Sequence, residues 1–195
     1  MARDSRDRMV VTAASLLGSR GAGGVSLTDI LEGSKAPRGS IYHHFPGGKR
    51  ELVEDAMRWT SEQVLGYQRR CTGRTPADVL EHFVDFFRQS MISSGCAAGC
   101  PVAGVILDTY GSKGSLKQAG RASFRAWVTL LAKQLEAAGT PRGKAPDLAA
   151  MALASVEGAL ILCRAEGNIR PLELVAEQLR FLARRFSTTR PLRSH

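Results

Sequence analysis

The chain has 195 residues, 44% of them hydrophobic and 23% charged, a composition that suits one folded domain or two small ones and excludes intrinsic disorder. Its 27 Lys and Arg exceed its 18 Asp and Glu, and the net charge of +9 points to a polyanionic partner, nucleic acid before an anionic membrane. No stretch reads as ~20 continuous apolar residues, no apolar signal core follows the N-terminus, and four cysteines do not make a disulfide framework. The expectation is a reduced, cytoplasmic protein without a membrane partner.

Eight prolines punctuate the chain, and the intervals between them read as helices. Period-2 alternation bounded by hairpin turns is missing, so the predicted fold is all-α with about nine helices. A first helix, about Arg6 to Ser19, carries Met9, Ala13, Leu16 and Leu17 at helical spacing and stops at the Gly21–Gly24 run. Ser26 reads as the N-cap of a short helix from Leu27 to about Gly33, with Asp29 in its first turn. After the Ser34–Pro37 turn comes a third short helix, about Arg38 to His44. A long helix from Lys49 to about Arg70 then lines up Leu52, Ala56, Trp59 and Gln63.

A second helical region follows. Thr75-Pro76-Ala77-Asp78 combines an N-cap, a proline at the first helical position and an early acid, ahead of Val79, Phe83, Phe86, Phe87 and Met91. A loop carrying Cys96 and Cys100 leads to a helix from Pro101 to about Tyr110, broken at Gly111–Gly114. Further helices are expected over Leu116–Ala138, Asp147–Glu166 and Pro171–Phe186, before a frayed tail from Ser187 to His195. On the last helix Leu172, Val175, Leu179, Leu182 and Phe186 step by 3, 4, 3 and 4, a seam for another helix. The helix before it offers Met151, Ser155 and Ala159. These positions serve either the protein's own core or a subunit interface.

Two short helices joined by a tight turn behind a supporting helix make a helix-turn-helix arrangement. The third helix has Ile41 and Phe45, four apart, as anchors. Its remaining positions are Arg38, Gly39, Ser40, Tyr42, His43 and His44, all donors or small residues, with no acid. A helix in a major groove must present donors to phosphates and base edges and keep carboxylates away. Lys49 and Arg50 follow at the start of the next helix, where anions are favoured. Residues 1–50 hold 8 basic and 4 acidic side chains, against 19 and 14 in the rest.

These residues carry a resemblance. Thr28-Asp29-Ile30 and the run from Arg38 through Tyr42-His43-His44-Phe45-Pro46-Gly47-Gly48-Lys49 to Leu52 resemble the DNA-binding segment of the tetracycline-repressor (TetR) family. Gly99-Cys100-Pro101-Val102-Ala103 and Glu157-Gly158-Ala159-Leu160 resemble its LmrA/YxaF-like branch. The resemblance implies a DNA-binding domain over 1–48 and a ligand-binding and dimerisation domain over 49–195, the helix from 49 linking them. It implies a homodimer with operator DNA and a small-molecule inducer as partners, a repressor released by ligand. Arg38, Gly39 and Ser40 become candidates for base-edge or phosphate contact, Tyr42, His43, His44 and Lys49 for phosphate contact, and Thr28 for the backbone beside the second helix. The family usually has a glycine near position 35, where this chain has Lys35; either the turn differs or a cation is added near DNA. A pocket is implied among Phe83, Phe87, Val105, Asp108, Phe124, Trp127, Met151 and Glu157, although a filled core needs the same residue types. Tyr110 belongs to the same aromatic set.

Other readings weigh less. His43-His44 has no further ligand at zinc spacing, so no metal or other cofactor is expected. Cys96 and Cys100 form C-x3-C in a loop, read as structural in preference to a redox pair. The G-x-S-x-G, G-x-x-x-x-G-K-[ST] and H-E-x-x-H patterns are missing, so an enzyme is not expected. A basic membrane-surface adaptor fits the charge but not the acid-free third helix.

Overall fold

The computed structural model describes residues 2–109 and 114–186; Tyr110, the break at Gly111–Lys113 and the tail from Ser187 lie outside the described residues. Among the described residues there are nine helices and no strand. They are α1 (Ala2–Arg20), α2 (Leu27–Ser34), α3 (Ser40–His44), α4 (Gly48–Arg69), α5 (Pro76–Ser93), α6 (Pro101–Asp108), α7 (Ser115–Ala137), α8 (Ala145–Glu166) and α9 (Arg170–Arg184).

Local chemistry sets several starts. Ser26 Oγ accepts from the Asp29 N–H at 3.1 Å, and the Asp29 carboxylate accepts from the Ser26 N–H at 2.7 Å. This capping box satisfies two otherwise orphaned donors. Its hydrogen bonds hold the Asp29 carboxyl below the usual carboxylate range. Thr75 and Asp78 repeat the box at the head of α5, with Pro76 in the first turn. α3 starts two residues later than expected, because Ser40 N–H bonds the Pro37 carbonyl at 2.9 Å and closes a turn over Arg38 and Gly39.

The helices divide into two compact units, Met1–Gln63 with Ala98–Arg125, and Val64–Ala97 with Ala126–His195. Each unit thus draws on two separate stretches of the chain. In the first unit α1 buries Met9, Ala13 and Leu17, joined by Ile30, Ile41, Phe45, Leu52, Ala56 and Met57. α6 lies against α1 at backbone distance: a Cβ at Gly18 would sit 2.5 Å from the Gly99 carbonyl oxygen, and one at Gly104 2.7 Å from that of Leu17. The α4 line is corrected. Trp59 is half-buried and Gln63 exposed, while Val53, Met57, Thr60 and Val64 are buried. Leu52 and Ala56 of the predicted line stay buried, and the buried side then continues along the neighbouring row through Val53, Met57, Thr60 and Val64.

In the second unit α9 packs on α5 and α8. Val79, Phe83, Phe87 and Met91 of α5 are buried, and Phe86 is half-buried. Arg88 reaches Glu81 at 2.8 Å and Asp85 at 3.0 Å on its own helix and Glu173 of α9 at 2.7 Å; Arg180 of α9 returns to Glu81 at 2.7 Å. Tyr67 stacks on His82 at 4.4 Å and donates its hydroxyl to Asp85 at 2.6 Å. Burial, then the Asp85 carboxylate, pushes the Tyr67 hydroxyl up to about 12. That hydrogen bond in turn holds Asp85 below the usual carboxylate range.

By length and composition α8 is apolar enough to cross a membrane, although Asp147, Glu157 and Arg164 interrupt its apolar run. Its buried face, Leu148, Ala152, Val156, Ala159 and Cys163, belongs to the second unit's core, and the apolar side chains of Met151, Ile161 and Leu162 on its other face are exposed.

Candidate nucleic-acid interface

The short α3 is held by what lies beneath it. Ile41 and Phe45 are both buried, as their spacing predicts. The Arg6 guanidinium lies 5.0 Å from the Phe45 ring centroid and pairs with Asp55 of α4, which also takes Arg58 at 2.8 Å. Buried charges persist when paired in this way. Arg8 Nε donates to the Ser34 carbonyl at 3.1 Å, satisfying the end of α2. Lys35 takes the left-handed conformation, φ 52°, and its N–H bonds the Glu32 carbonyl at 3.2 Å. The turn therefore keeps the shape a glycine usually gives it.

With the inner face occupied, the remaining side chains of α3 turn outward. Arg38, Gly39, Tyr42 and His43 are exposed, Tyr42 at 67%, and Ser40 and His44 are half-buried. The Ser40 hydroxyl donates to the Pro37 carbonyl at 2.6 Å. Thr28 is exposed on α2. A surface cleft of about 490 Å³ between α2 and α3 is lined by Thr28, Leu31, Glu32, Lys35, Arg38 and Tyr42. Lys49 is half-buried, and its Nζ donates to the Ala22 carbonyl at 2.8 Å. Seven of the eight residues singled out from sequence thus cluster on α2, α3 and the turn before α3, and Lys49 follows at the head of α4.

Sequence reading missed Arg6 and Asp55, 49 residues apart, and the exposed acid Glu32 at the cleft. Arg6 gave no signal, because a lone arginine on a first helix is an ordinary surface residue. Glu32 was visible in the sequence but became relevant once the cleft was known.

The proposed pocket residues fall in both units. Phe83 and Phe87, with ring centroids 5.4 Å apart, and Trp127 are buried in the second unit; Met151 is exposed and Glu157 half-buried there. In the first unit Val105 is buried, Phe124 is half-buried, and Asp108 accepts from the Gly23 N–H at 2.8 Å. Of the interface residues, Ala159, Leu172 and Leu179 are committed to the unit's own core, Ser155, Val175, Leu182 and Phe186 are half-buried, and Met151 is exposed. Leu174 and Phe181 of α9 are exposed with it.

No disulfide joins the four cysteines, and Cys96 and Cys100 are buried. Cys100 caps α6, its sulfur accepting from the Ala103 N–H at 3.5 Å. Burial pushes the Cys163 thiol up.

Residues 10–56 match the family described as bacterial regulatory proteins, tetR family, and residues 76–178 match the transcriptional regulator LmrA/YxaF-like C-terminal domain. The chain is 37% identical to the uncharacterized HTH-type transcriptional regulator Rv0196 of Mycobacterium tuberculosis, over 91% of this chain and 93% of that protein. It is 26% identical to the HTH-type transcriptional regulator LmrA of Bacillus subtilis, over 87% and 91%. The fold matches a TetR regulatory protein of Rhodobacter sphaeroides with TM-score 0.82 at 19% identity, covering 91% of this chain and 97% of that one. It matches a TetR regulator of Legionella pneumophila with TM-score 0.82 at 21% identity, covering 90% and 95%. These relatives are regulators and not enzymes. The chain belongs to the TetR family of helix-turn-helix transcriptional regulators, with a C-terminal domain of the LmrA/YxaF-like kind.

Proposed function

We propose that the protein is a homodimeric repressor that holds operator DNA through α3 and leaves it when a small apolar or amphipathic molecule binds the C-terminal domain. The observation that carries this reading is the outer side of α3 and of the turn before it: Arg38, Tyr42 and His43 stand exposed on a segment without a carboxylate, anchored by buried Ile41 and Phe45. Arg38, Gly39 and Ser40 would meet base edges or phosphates, Tyr42, His43, His44 and Lys49 phosphates, and Thr28 the adjoining backbone. The exposed apolar side chains of α8 and α9 support a second copy as partner, since such patches mark interaction surfaces. A dimer would set two copies of α3 about 34–36 Å apart, one turn of duplex. A ligand that favours another spacing would shift the population away from DNA. A DNA partner places this work in the cytoplasm.

The test is selection of duplexes from a random-sequence pool by the full chain, followed by titration with two variants. Tyr42→Ala should weaken binding to all duplexes alike. Arg38→Ala should cost about 1–3 kcal/mol on the selected duplex and relax preference at one position. A wild-type chain that enriches no sequence overturns the reading.

A further inference from the structure

The Ala22–Gly23 peptide bond, in the glycine loop between α1 and α2, is gripped at both ends. Its carbonyl accepts from Lys49 Nζ at 2.8 Å, and its N–H donates to Asp108 Oδ2 at 2.8 Å. A cation sits at the oxygen and an anion at the N–H, each opposite the complementary pole of the peptide dipole. The two grips come from the head of α4 and the last residue of α6, within the first unit.

The surroundings leave little slack. Gly21 has φ +70°, and a Cβ there would come 2.7 Å from Asp108 Oδ2. α6 cannot shift freely, because its Gly104 and the preceding Gly99 meet α1 at backbone distance. Three residues beyond the gripped peptide, Ser26 caps α2. Asp108 itself breaks a local rule. It is an exposed acid at a helix C-terminus, where the helix dipole disfavours negative charge. The contact with Gly23, 85 residues away in sequence, is what its carboxylate achieves there.

We propose that Asp108 is a positioning residue for DNA binding: by holding the Ala22–Gly23 peptide against Lys49 it sets the angle at which α2, and with it α3, is presented. Asp108 touches no nucleic acid in this scheme; it acts through the loop. The inference rests on the DNA-binding reading above.

The experiment uses the full chain, a duplex selected by the wild type and a random-sequence duplex. Asp108→Ala should bind the selected duplex about tenfold more weakly, a change of about 1.4 kcal/mol. It should bind the random duplex no more weakly than the wild type does, because that binding follows charge and the variant only loses an acid. Its thermal midpoint should not fall, since an acid is removed from a helix C-terminus. Asp108→Asn, which keeps an acceptor oxygen, should restore selected-duplex affinity to within about twofold of wild type. Equal affinity of Asp108→Ala and wild type for the selected duplex overturns the proposal. So does a parallel loss on both duplexes with a lowered midpoint, which marks a folding role, or a parallel gain, which marks simple charge repulsion. A wild type that selects nothing overturns the DNA-binding reading itself, a result separable from these.

Discussion

On the homodimer proposed above, Phe181→Asp should dissociate the pair while leaving the protomer folded. Phe181 is 56% exposed on α9, on the same apolar surface as Leu174. A phenylalanine side chain offers about 200 Å², so about 110 Å² stays open in the protomer. At about 25 cal/mol/Å², covering that area contributes about 2.8 kcal/mol. In a two-fold symmetric pair the residue counts twice, about 5–6 kcal/mol or roughly 10⁴ in Kd. Buried area converts only partly into affinity, so the expected loss is at least about a hundredfold. The aspartate adds a charge that association would have to desolvate in the same place. Sedimentation velocity over a dilution series measures the loss, and far-UV circular dichroism reports the protomer's helix content. A variant that stays dimeric at wild-type concentrations would refute the assignment of this surface. An unfolded variant would refute the premise that Phe181 lies outside the core.

Lys35→Gly should stabilise the protein by about 0.5–1 kcal/mol, the left-handed penalty less the extra freedom of glycine in the unfolded chain. A lowered urea midpoint would contradict the φ of 52° found there. The pH dependence of stability should carry a contribution from Asp85, whose carboxyl is held low first by the Tyr67 hydroxyl and then by Arg88. A depressed folded pKa means that this contribution is present above the unfolded value, near ~3.9, and is lost as pH falls through the folded value. Urea titrations of wild type and Asp85→Asn should therefore differ most at neutral pH and converge as pH falls below the unfolded value; a gap that stays constant with pH would sink the assignment.

Much of the fold was legible because its signals are local. Ser26 with Asp29, and Thr75 with Pro76 and Asp78, announce helix starts over four residues, and the structure shows both capping boxes formed. Ile41 and Phe45 were identified as anchors from one helical step, and both are buried. The α4 stripe and the α8–α9 seam were harder. A row of apolar residues shows that a helix has a buried side, but not how far round the helix that side extends. Leu172 and Leu179 accordingly went into the core, while Leu174 and Phe181 stayed outside. Cys100 as a helix cap also went unread, since a thiol is a weak acceptor rarely used there.

From residues alone came the helices, the turn chemistry between α2 and α3, and the acid-free character of α3, because each depends on neighbours within one or two turns. Tertiary structure decided which apolar row faces inward, which cations are already engaged, and that an aspartate at the end of α6 grips a peptide 85 residues earlier. Such contacts depend on how whole helices meet in space, and a one-dimensional pattern records no distance between residues that far apart.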